Sequence, residues 1–170
     1  YIITGDEKTG REAVDKTASV GLKYIEAYPG QKLSADIPGA TFDQNMSEDA
    51  QKAAKAKLDA AGVKLVNYGV VGLPNDEKEC RKVFDFAKKM GVETIVSEPS
   101  KETLSILDKL TEEYGINVAI HNHPKPSPYW DYKIELDALQ GHSKRIGACA
   151  DTGHWMRSCT DSAETVKKLK

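Results

Sequence analysis

Short apolar segments alternate along this chain with longer amphipathic segments, and glycines separate most of them. The short segments suit strands that are buried on both faces, whereas the longer ones place their apolar residues at helical spacing. Capping residues and glycines mark the predicted helix ends. The predicted strands cover 22–27, 63–71, 92–96, 116–120 and 145–150, with 1–4 as a sixth candidate; the predicted helices cover 6–20, 47–62, 75–90, 100–114, 132–139 and 162–170.

Strands and helices that alternate at intervals of roughly 25 to 40 residues are typical of right-handed βαβ units in a parallel sheet. A closed (β/α) barrel needs eight strands and about 250 residues. The sequence therefore predicts a partial TIM-type α/β barrel with five to six of the eight units, in one domain spanning 1–170. A flavodoxin-like or Rossmann sheet is less favoured, because it would be expected to carry a glycine-rich phosphate loop that this sequence lacks.

The composition, with 39% hydrophobic and 29% charged residues, is that of a globular protein with a core. No apolar run approaches the roughly 20 residues of a membrane-spanning helix. A formal net charge of −2 argues against a nucleic-acid partner. Three widely spaced cysteines, Cys80, Cys149 and Cys159, indicate neither a disulfide framework nor a zinc knuckle. Reduced thiols favour a cytoplasmic location. We therefore expect a small polar substrate, and neither a membrane nor a nucleic acid as partner.

Three consecutive predicted strands end in polar side chains. Because the carboxyl ends of parallel strands meet at one edge of a sheet, where α/β barrels place their chemistry, these side chains predict a functional site. We expect only one of the two histidines that follow the middle strand to face the interior of a barrel. Glu98 follows the strand 92–96, His121 and His123 follow 116–120, and Asp151 and His154 follow 145–150.

These strand ends also carry a resemblance. The segment 21–31, Ser97-Glu98-Pro99, His121-Asn-His-Pro124 and Ala150-Asp-Thr-Gly-His154 resemble the sugar phosphate isomerase/epimerase family, which has the xylose-isomerase-like TIM barrel. In that family one divalent ion, often Mn, Co, Mg or Zn, is held by a Glu, an Asp, a His and a second Glu. The resemblance implies that Glu98 and Asp151 are metal ligands and that His154 contacts the substrate. Segments matching the other two ligands are not found, so we expect an incomplete barrel.

The function that this resemblance implies is a metal-dependent sugar isomerase or epimerase acting on a ketose or sugar derivative. A divalent ion would stabilise the enediolate, and Glu98 would serve as ligand and base together. We expect further substrate contacts from His121, His123, Glu26 and Arg157. Two other functions stay open: a lyase or hydrolase acting on 3-keto-glycosides by the same enediolate chemistry, and a non-catalytic, barrel-like binding protein. A homo-oligomer also stays open.

Several of these residues also have a structural interpretation. Glu98 could be a carboxylate stabilised by the dipole of the next helix. Asp151 could be a helix N-cap or an ion-pair partner, and Glu26 could be a buried structural carboxylate. Arg157 could be an exposed arginine beside a loop. Tyr129 and Trp130 could either line a sugar pocket or pack against the helix that follows them.

Overall fold

A computed structural model describes residues 9–37 and 39–169 of the chain. The described residues form seven strands, seven α-helices and one short 3₁₀ helix, Lys101–Thr103. The strands are β1 (Tyr24–Ala27), β2 (Gln31–Lys32), β3 (Thr41–Phe42), β4 (Lys64–Tyr68), β5 (Thr94–Ser97), β6 (Asn117–His121) and β7 (Ile146–Cys149). The α-helices are α1 (Gly10–Ser19), α2 (Glu48–Ala61), α3 (Glu77–Met90), α4 (Leu104–Tyr114), α5 (Tyr132–Leu139), α6 (Thr152–Arg157) and α7 (Ser162–Lys168).

Five strands form one parallel sheet in the order β1, β4, β5, β6, β7. Helices α2, α3, α4 and α5 connect each of these strands to the next. Sheet neighbours are therefore also neighbours along the chain, which is the repeated βαβ arrangement predicted from the sequence. All five strands end at the same edge of the sheet.

Local side chains fix the ends of helices α2 and α3. Ser47 and Asp76 accept hydrogen bonds from the backbone N–H groups of Ala50 and Glu79, which would otherwise lack partners at the helix start. At the other ends, Gly62 and Gly91 adopt the left-handed conformation, with φ of 64° and 78°. Glycine reaches that region without a Cβ clash, so both helices stop there.

Aromatic side chains from three elements pack together in the core. The ring of Phe86 on α3 lies 5.1 Å from that of Tyr68 on β4 and 5.3 Å from that of Phe42 on β3, in edge-to-face geometry. All three residues are buried. Because burying a large apolar side chain contributes about 1.5–3 kcal/mol, this cluster fixes α3 and the β2–β3 hairpin against the sheet.

The structure differs from the sequence predictions in three places. The segment 28–42, for which the sequence predicted neither strand nor helix, contains the antiparallel β2–β3 pair. The strand predicted at 63–71 ends at Tyr68. Helix α6 was not predicted. The candidate strand 1–4 lies outside the described residues. Within the described part of the chain, none of the helices has the length and apolar character needed to span a bilayer.

Candidate active site

The register of the sheet places the candidate residues side by side at the carboxyl ends of β5, β6 and β7. Ser97 pairs with Ile120, and His121 pairs with Cys149. Glu98 therefore leaves β5 beside the end of β6, and Asp151 follows two residues after the end of β7. Three neighbouring strands deliver carboxylates and imidazoles to the same edge, as the sequence predicted.

Both histidines that follow β6 face this cluster. Their Nδ1 atoms lie 3.3 Å apart, and their ring centroids lie 4.3 Å apart. The expectation that only one of His121 and His123 faces the site was therefore wrong. Residues two apart on an extended chain lie on the same face, so the intervening residue is the one that points away.

That intervening residue, Asn122, fixes the position of Asp151. Asn122 is fully buried. Its side-chain amide donates to the backbone carbonyl of Asp151 at 2.9 Å, and its side-chain oxygen accepts from the backbone N–H of Asp151 at 2.7 Å. The amide thus continues the pairing of β6 with β7 beyond the sheet. The sequence analysis missed this residue, although a polar side chain between two histidines at a strand end was a signal for it.

Asp151 has two roles in the local structure, one for each carboxylate oxygen. Its Oδ1 caps α6 by accepting a hydrogen bond from the N–H of His154 at 2.9 Å. Its Oδ2 lies 3.7 Å from Nε2 of His121 and 3.5 Å from Nε2 of His154. Burial alone would raise the pKa of this carboxyl, but the cap and the two imidazoles outweigh burial and lower the pKa. Asp151 is therefore both a helix cap and a member of the cluster.

The carboxylate of Glu98 is held by side chains from the loop after β6. Its Oε1 contacts Nδ1 of His123, and its Oε2 accepts a hydrogen bond from Oγ of Ser127 at 2.9 Å. Its Oε1 also lies 3.7 Å from Nδ1 of His121. These partners, rather than the start of the next helix, fix the carboxylate. The sequence analysis did not identify Ser127, because its approach to Glu98 depends on the path of the loop.

The three imidazoles of His121, His123 and His154 form a compact group. Each offers a ring nitrogen, and these nitrogens all lie within 4.8 Å of one another. Burial lowers the pKa of His121 and of His123, which favours their neutral forms. On its other side, Nδ1 of His154 lies 2.9 Å from Nη1 of Arg157. Arg157 thus reaches the cluster through His154.

Glu26 lies on the far strand β1 and is half-buried. Nδ2 of Asn67 donates to its carboxylate at 3.4 Å. The Glu26 carboxylate also partly offsets the fall in the pKa of His121. It therefore belongs to the electrostatic surroundings of the cluster, and no direct hydrogen bond joins it to the imidazoles among the described residues.

The aromatic and thiol candidates are placed differently. Tyr129 is buried, and its hydroxyl donates to the carbonyl of Pro99 at 2.7 Å. It therefore packs the loop rather than lining an open pocket. Trp130 lies under the ammonium of Lys125, which is 3.9 Å from its ring centroid. Burial raises the pKa of the Cys149 thiol to about 11, so this cysteine stays protonated at neutral pH and is a poor nucleophile.

The donor set at this edge fits a divalent metal ion. Two carboxylates and three imidazoles converge, and neither carboxylate is neutralised by an Arg or Lys side chain in the described ion pairs. Carboxylate oxygens suit hard ions, and imidazole nitrogens suit borderline ones. The absence of paired thiolates argues against a cysteine-ligated zinc centre.

Residues 14–169 match the family described as xylose isomerase-like TIM barrel. The match covers most of the sequence, so the chain belongs to this family, and the fold predicted from the sequence is confirmed as a partial barrel with five parallel strands. The resemblance drawn from the strand-end motifs is confirmed as well. No curated protein matches this sequence.

Solved structures support the same fold. An uncharacterised protein from Parabacteroides distasonis ATCC 8503 is 33% identical, with a TM-score of 0.78, over 95% of this chain and 65% of that one. A D-tagatose 3-epimerase-like protein is 21% identical, with a TM-score of 0.69, over 95% of this chain and 68% of that one. The probable 3-DHS dehydratase AsbF from Bacillus anthracis is 12% identical, with a TM-score of 0.68, over 95% of this chain and 64% of that one. This chain therefore spans about two thirds of the length of the structures that it matches.

Proposed function

We propose that this protein is a metal-dependent isomerase or epimerase, and that residues 1–170 form one barrel domain of it. Its substrate is a small carbohydrate, a ketose or a sugar derivative, and the reaction starts with removal of a proton next to the carbonyl. One observation carries the proposal: two carboxylates and three imidazoles converge at the carboxyl edge of the parallel sheet in a chain of this family. The likeness in fold to an epimerase-like protein is in keeping with it.

Glu98 and Asp151 are the residues that would hold the ion. Both present an oxygen to the cluster, and other contacts fix both carboxylates. When bound, a divalent ion supplies Lewis-acid stabilisation of the negative charge that develops on the substrate oxygens. The anionic pair offsets the charge of a dication, which makes the site electrostatically suited to one.

Glu98 is the candidate for the proton-accepting group. Its carboxylate is only 20% exposed, and Ser127 and His123 hold it at two points, so it keeps one orientation towards the cluster. A carboxylate that is already oriented can take a proton from carbon without reorganising in the reaction. Return of the proton to the neighbouring carbon gives isomerisation, and its return to the opposite face gives epimerisation.

His154 and Arg157 are the candidates for orienting the substrate. The side chain of His154 is only 16% exposed, and its Nε2 faces the cluster. Arg157 is exposed, and its guanidinium presents several N–H donors near the cluster rim. Sugar hydroxyls, or the phosphate of a sugar phosphate, are natural partners for these donors.

Proton exchange tests this function directly. The purified protein, supplied with Mn²⁺, is incubated in D₂O with a panel of ketoses and keto-sugars, and NMR records deuterium at the carbon next to the carbonyl. We expect exchange with at least one sugar and its loss in Glu98→Gln, while Glu93→Gln, at an exposed position, retains it. Exchange that persists at the wild-type rate in Glu98→Gln would exclude Glu98 as the base. Release of a substituent from the neighbouring carbon would instead identify the lyase chemistry on 3-keto-glycosides.

A further inference from the structure

The structure assigns to Arg157 the role of a positioning residue that fixes the tautomer of His154, so that Nε2 of His154 presents an N–H donor to a substrate oxygen. This inference rests on the proposed function, because it concerns how His154 contacts the substrate. The sequence expectation gave both residues to substrate binding and did not connect them.

The contact between Arg157 and His154 has only one chemically possible direction. Nη1 of Arg157 lies 2.9 Å from Nδ1 of His154. A guanidinium carries N–H donors and no acceptor, so Nδ1 must accept this hydrogen bond and carries no proton. The proton of the imidazole is then on Nε2, since the hydrogen bond made by one ring nitrogen determines the form of the other.

The group on the other side of the ring favours the same tautomer. Nε2 of His154 lies 3.5 Å from Oδ2 of Asp151, and a carboxylate oxygen is an acceptor. A proton on Nε2 therefore has an acceptor beside it, whereas a proton on Nδ1 would point at a cationic guanidinium. The side chain of His154 is only 16% exposed, so these two neighbours, rather than bulk water, determine where the proton lies.

The short helix α6 holds the two side chains against each other. Arg157 follows His154 by three positions, and residues at this spacing lie on the same side of a helix. Trp155 between them is fully buried and anchors the helix, while Asp151 caps its start. The guanidinium is therefore placed beside the ring by a helix that begins in the candidate site.

Arg157 differs from the other arginines in its partner. Arg11, Arg81 and Arg145 each contact a carboxylate. Among the described residues no ion pair with an acidic side chain involves Arg157, and its hydrogen bond goes to the imidazole of His154. No carboxylate therefore competes with His154 for this guanidinium in the described part of the chain.

A fixed N–H donor at Nε2 serves the proposed reaction. Removal of a proton next to a carbonyl leaves negative charge on the substrate oxygens, and a donor aimed at such an oxygen stabilises the charge without reorganising. A neutral imidazole can act in this way. In the opposite tautomer, Nε2 would present a lone pair and repel the same oxygen. Arg157 therefore acts on the substrate through His154.

NMR can observe this tautomer without any substrate. Protein labelled with nitrogen-15, in the presence of Mg²⁺ and at an alkaline pH where imidazoles are neutral, gives long-range proton–nitrogen spectra that distinguish protonated from unprotonated ring nitrogens. His154→Asn and His142→Asn assign the signals. We expect the proton of His154 on Nε2. His142 is the internal control, because its Nδ1 lies 2.8 Å from the carboxylate of Asp108 and should carry the proton instead.

Two substitutions of the exposed Arg157 separate selection of the tautomer from a merely structural role. Arg157→Lys again offers only N–H donors and should keep the proton of His154 on Nε2. Arg157→Glu offers an acceptor and should move the proton to Nδ1. In the D₂O exchange assay, kcat should fall about 10²- to 10³-fold in Arg157→Glu, the usual cost of losing a donor aimed at developing charge, and KM should change less. Arg157→Lys should lose much less activity than Arg157→Glu.

Two results would overturn the inference: a wild-type His154 with a proton on Nδ1, or an Arg157→Glu variant in which His154 keeps its wild-type form. Failure of the proposed function is a separate result. If no sugar exchanges a proton, but His154 is protonated on Nε2 and changes tautomer in Arg157→Glu, the role of Arg157 in fixing the tautomer stands and the isomerase assignment is lost.

Discussion

The hydroxyl of Ser127 donates a hydrogen bond of 2.9 Å to Oε2 of Glu98, so a residue of the loop after β6 orients the carboxylate that leaves β5. Ser127 Oγ also accepts from the backbone N–H of Tyr129, which leaves its own proton for Glu98. The Tyr129 hydroxyl in turn donates to the carbonyl of Pro99. The loop therefore holds the end of β5 at two successive residues.

Replacing Ser127 with Ala removes the donor and leaves one oxygen of Glu98 without its partner. We expect metal affinity, measured by calorimetry, to fall about 10- to 100-fold, the usual cost of losing a group that orients a ligand. Ser105→Ala, at an exposed position on α4, is the control and should bind as wild type does. Unchanged affinity in Ser127→Ala would mean that the contact does not orient Glu98.

Replacing Asn122 with Asp keeps the shape of the side chain but removes its donor to the carbonyl of Asp151. The buried carbonyl loses its partner, and an oxygen now faces it. We expect a loss of about 1–3 kcal/mol in the free energy of unfolding, measured with urea. Asn117→Asp, on the exposed start of the same strand, is the control and should change stability little, because its partner is Arg145. Equal stability of the two variants would contradict this role of Asn122.

Replacing Arg157 with Ala should tighten metal binding. Its guanidinium lies 2.9 Å from Nδ1 of His154 and places a positive charge next to the proposed metal site. An exposed charge interaction is worth at most about 1 kcal/mol, so we expect up to about a fivefold gain in Zn²⁺ affinity by calorimetry. Arg157→Lys retains the charge and should show less of the gain. Weaker binding in Arg157→Ala would indicate that the guanidinium supports the site.

Glu135 on α5 predicts an unusual dependence of stability on pH. It is fully buried, and neither carboxylate oxygen has a hydrogen-bond partner in the described part of the chain. Burial raises its pKa from 4.5 to about 8, so the folded protein retains a proton that the unfolded chain releases. Below the pKa of Glu135 in the unfolded chain, this proton contributes its full stabilisation of the folded state. That contribution decreases as the pH rises towards the pKa in the folded state, and it is lost above it. Between these pH values, unfolding free energy should fall by up to about 1.4 kcal/mol per pH unit.

The measurement is urea denaturation from pH 5 to pH 8 for wild type, Glu135→Gln and Glu93→Gln. Glu135→Gln cannot ionise, so its stability should lack most of this fall with pH and should exceed that of wild type at the alkaline end. Glu93 is exposed, and its Gln variant should keep the slope of wild type. The same slope in all three proteins would show that Glu135 is not protonated in the folded state.

The parts of the fold that local patterns determine were predictable. Helix α5 has the bounds that the sequence predicted, since Asp131 caps its start. The ends of β5, β6 and β7 were also placed to within about two residues, which is usual for element boundaries. The short helix α6 was not found, because it has only six residues, one of them Gly153, and depends on the cap from Asp151. The β2–β3 pair has two residues in each strand, too few for an alternating pattern.

The residues of the candidate site could be predicted from the sequence, but the hydrogen bonds that hold them in place could not. Strand-end motifs identified Glu98, Asp151 and the three histidines, and the structure brings these side chains together. Their catalytic, metal-binding and substrate-binding roles remain predictions. Asn122 and Ser127 were not predicted as site residues. Their hydrogen bonds join residues that are 29 positions apart in sequence, and they depend on the strand register and on the path of a loop, which local sequence patterns do not specify.

The two oxygens of the Asp151 carboxylate have different roles, one capping α6 and the other facing the cluster, and this affects how relatives of this chain should be compared. One of its oxygens stabilises a helix, so a relative without the proposed reaction still benefits from keeping an aspartate there. Glu98 caps no helix among the described residues, and its carboxylate contacts only the site and the loop that orients it. Within a set of divergent sequences, we therefore expect the residue at position 98 to separate chains that have the proposed activity from chains that lack it, and aspartate to persist at position 151 in both groups.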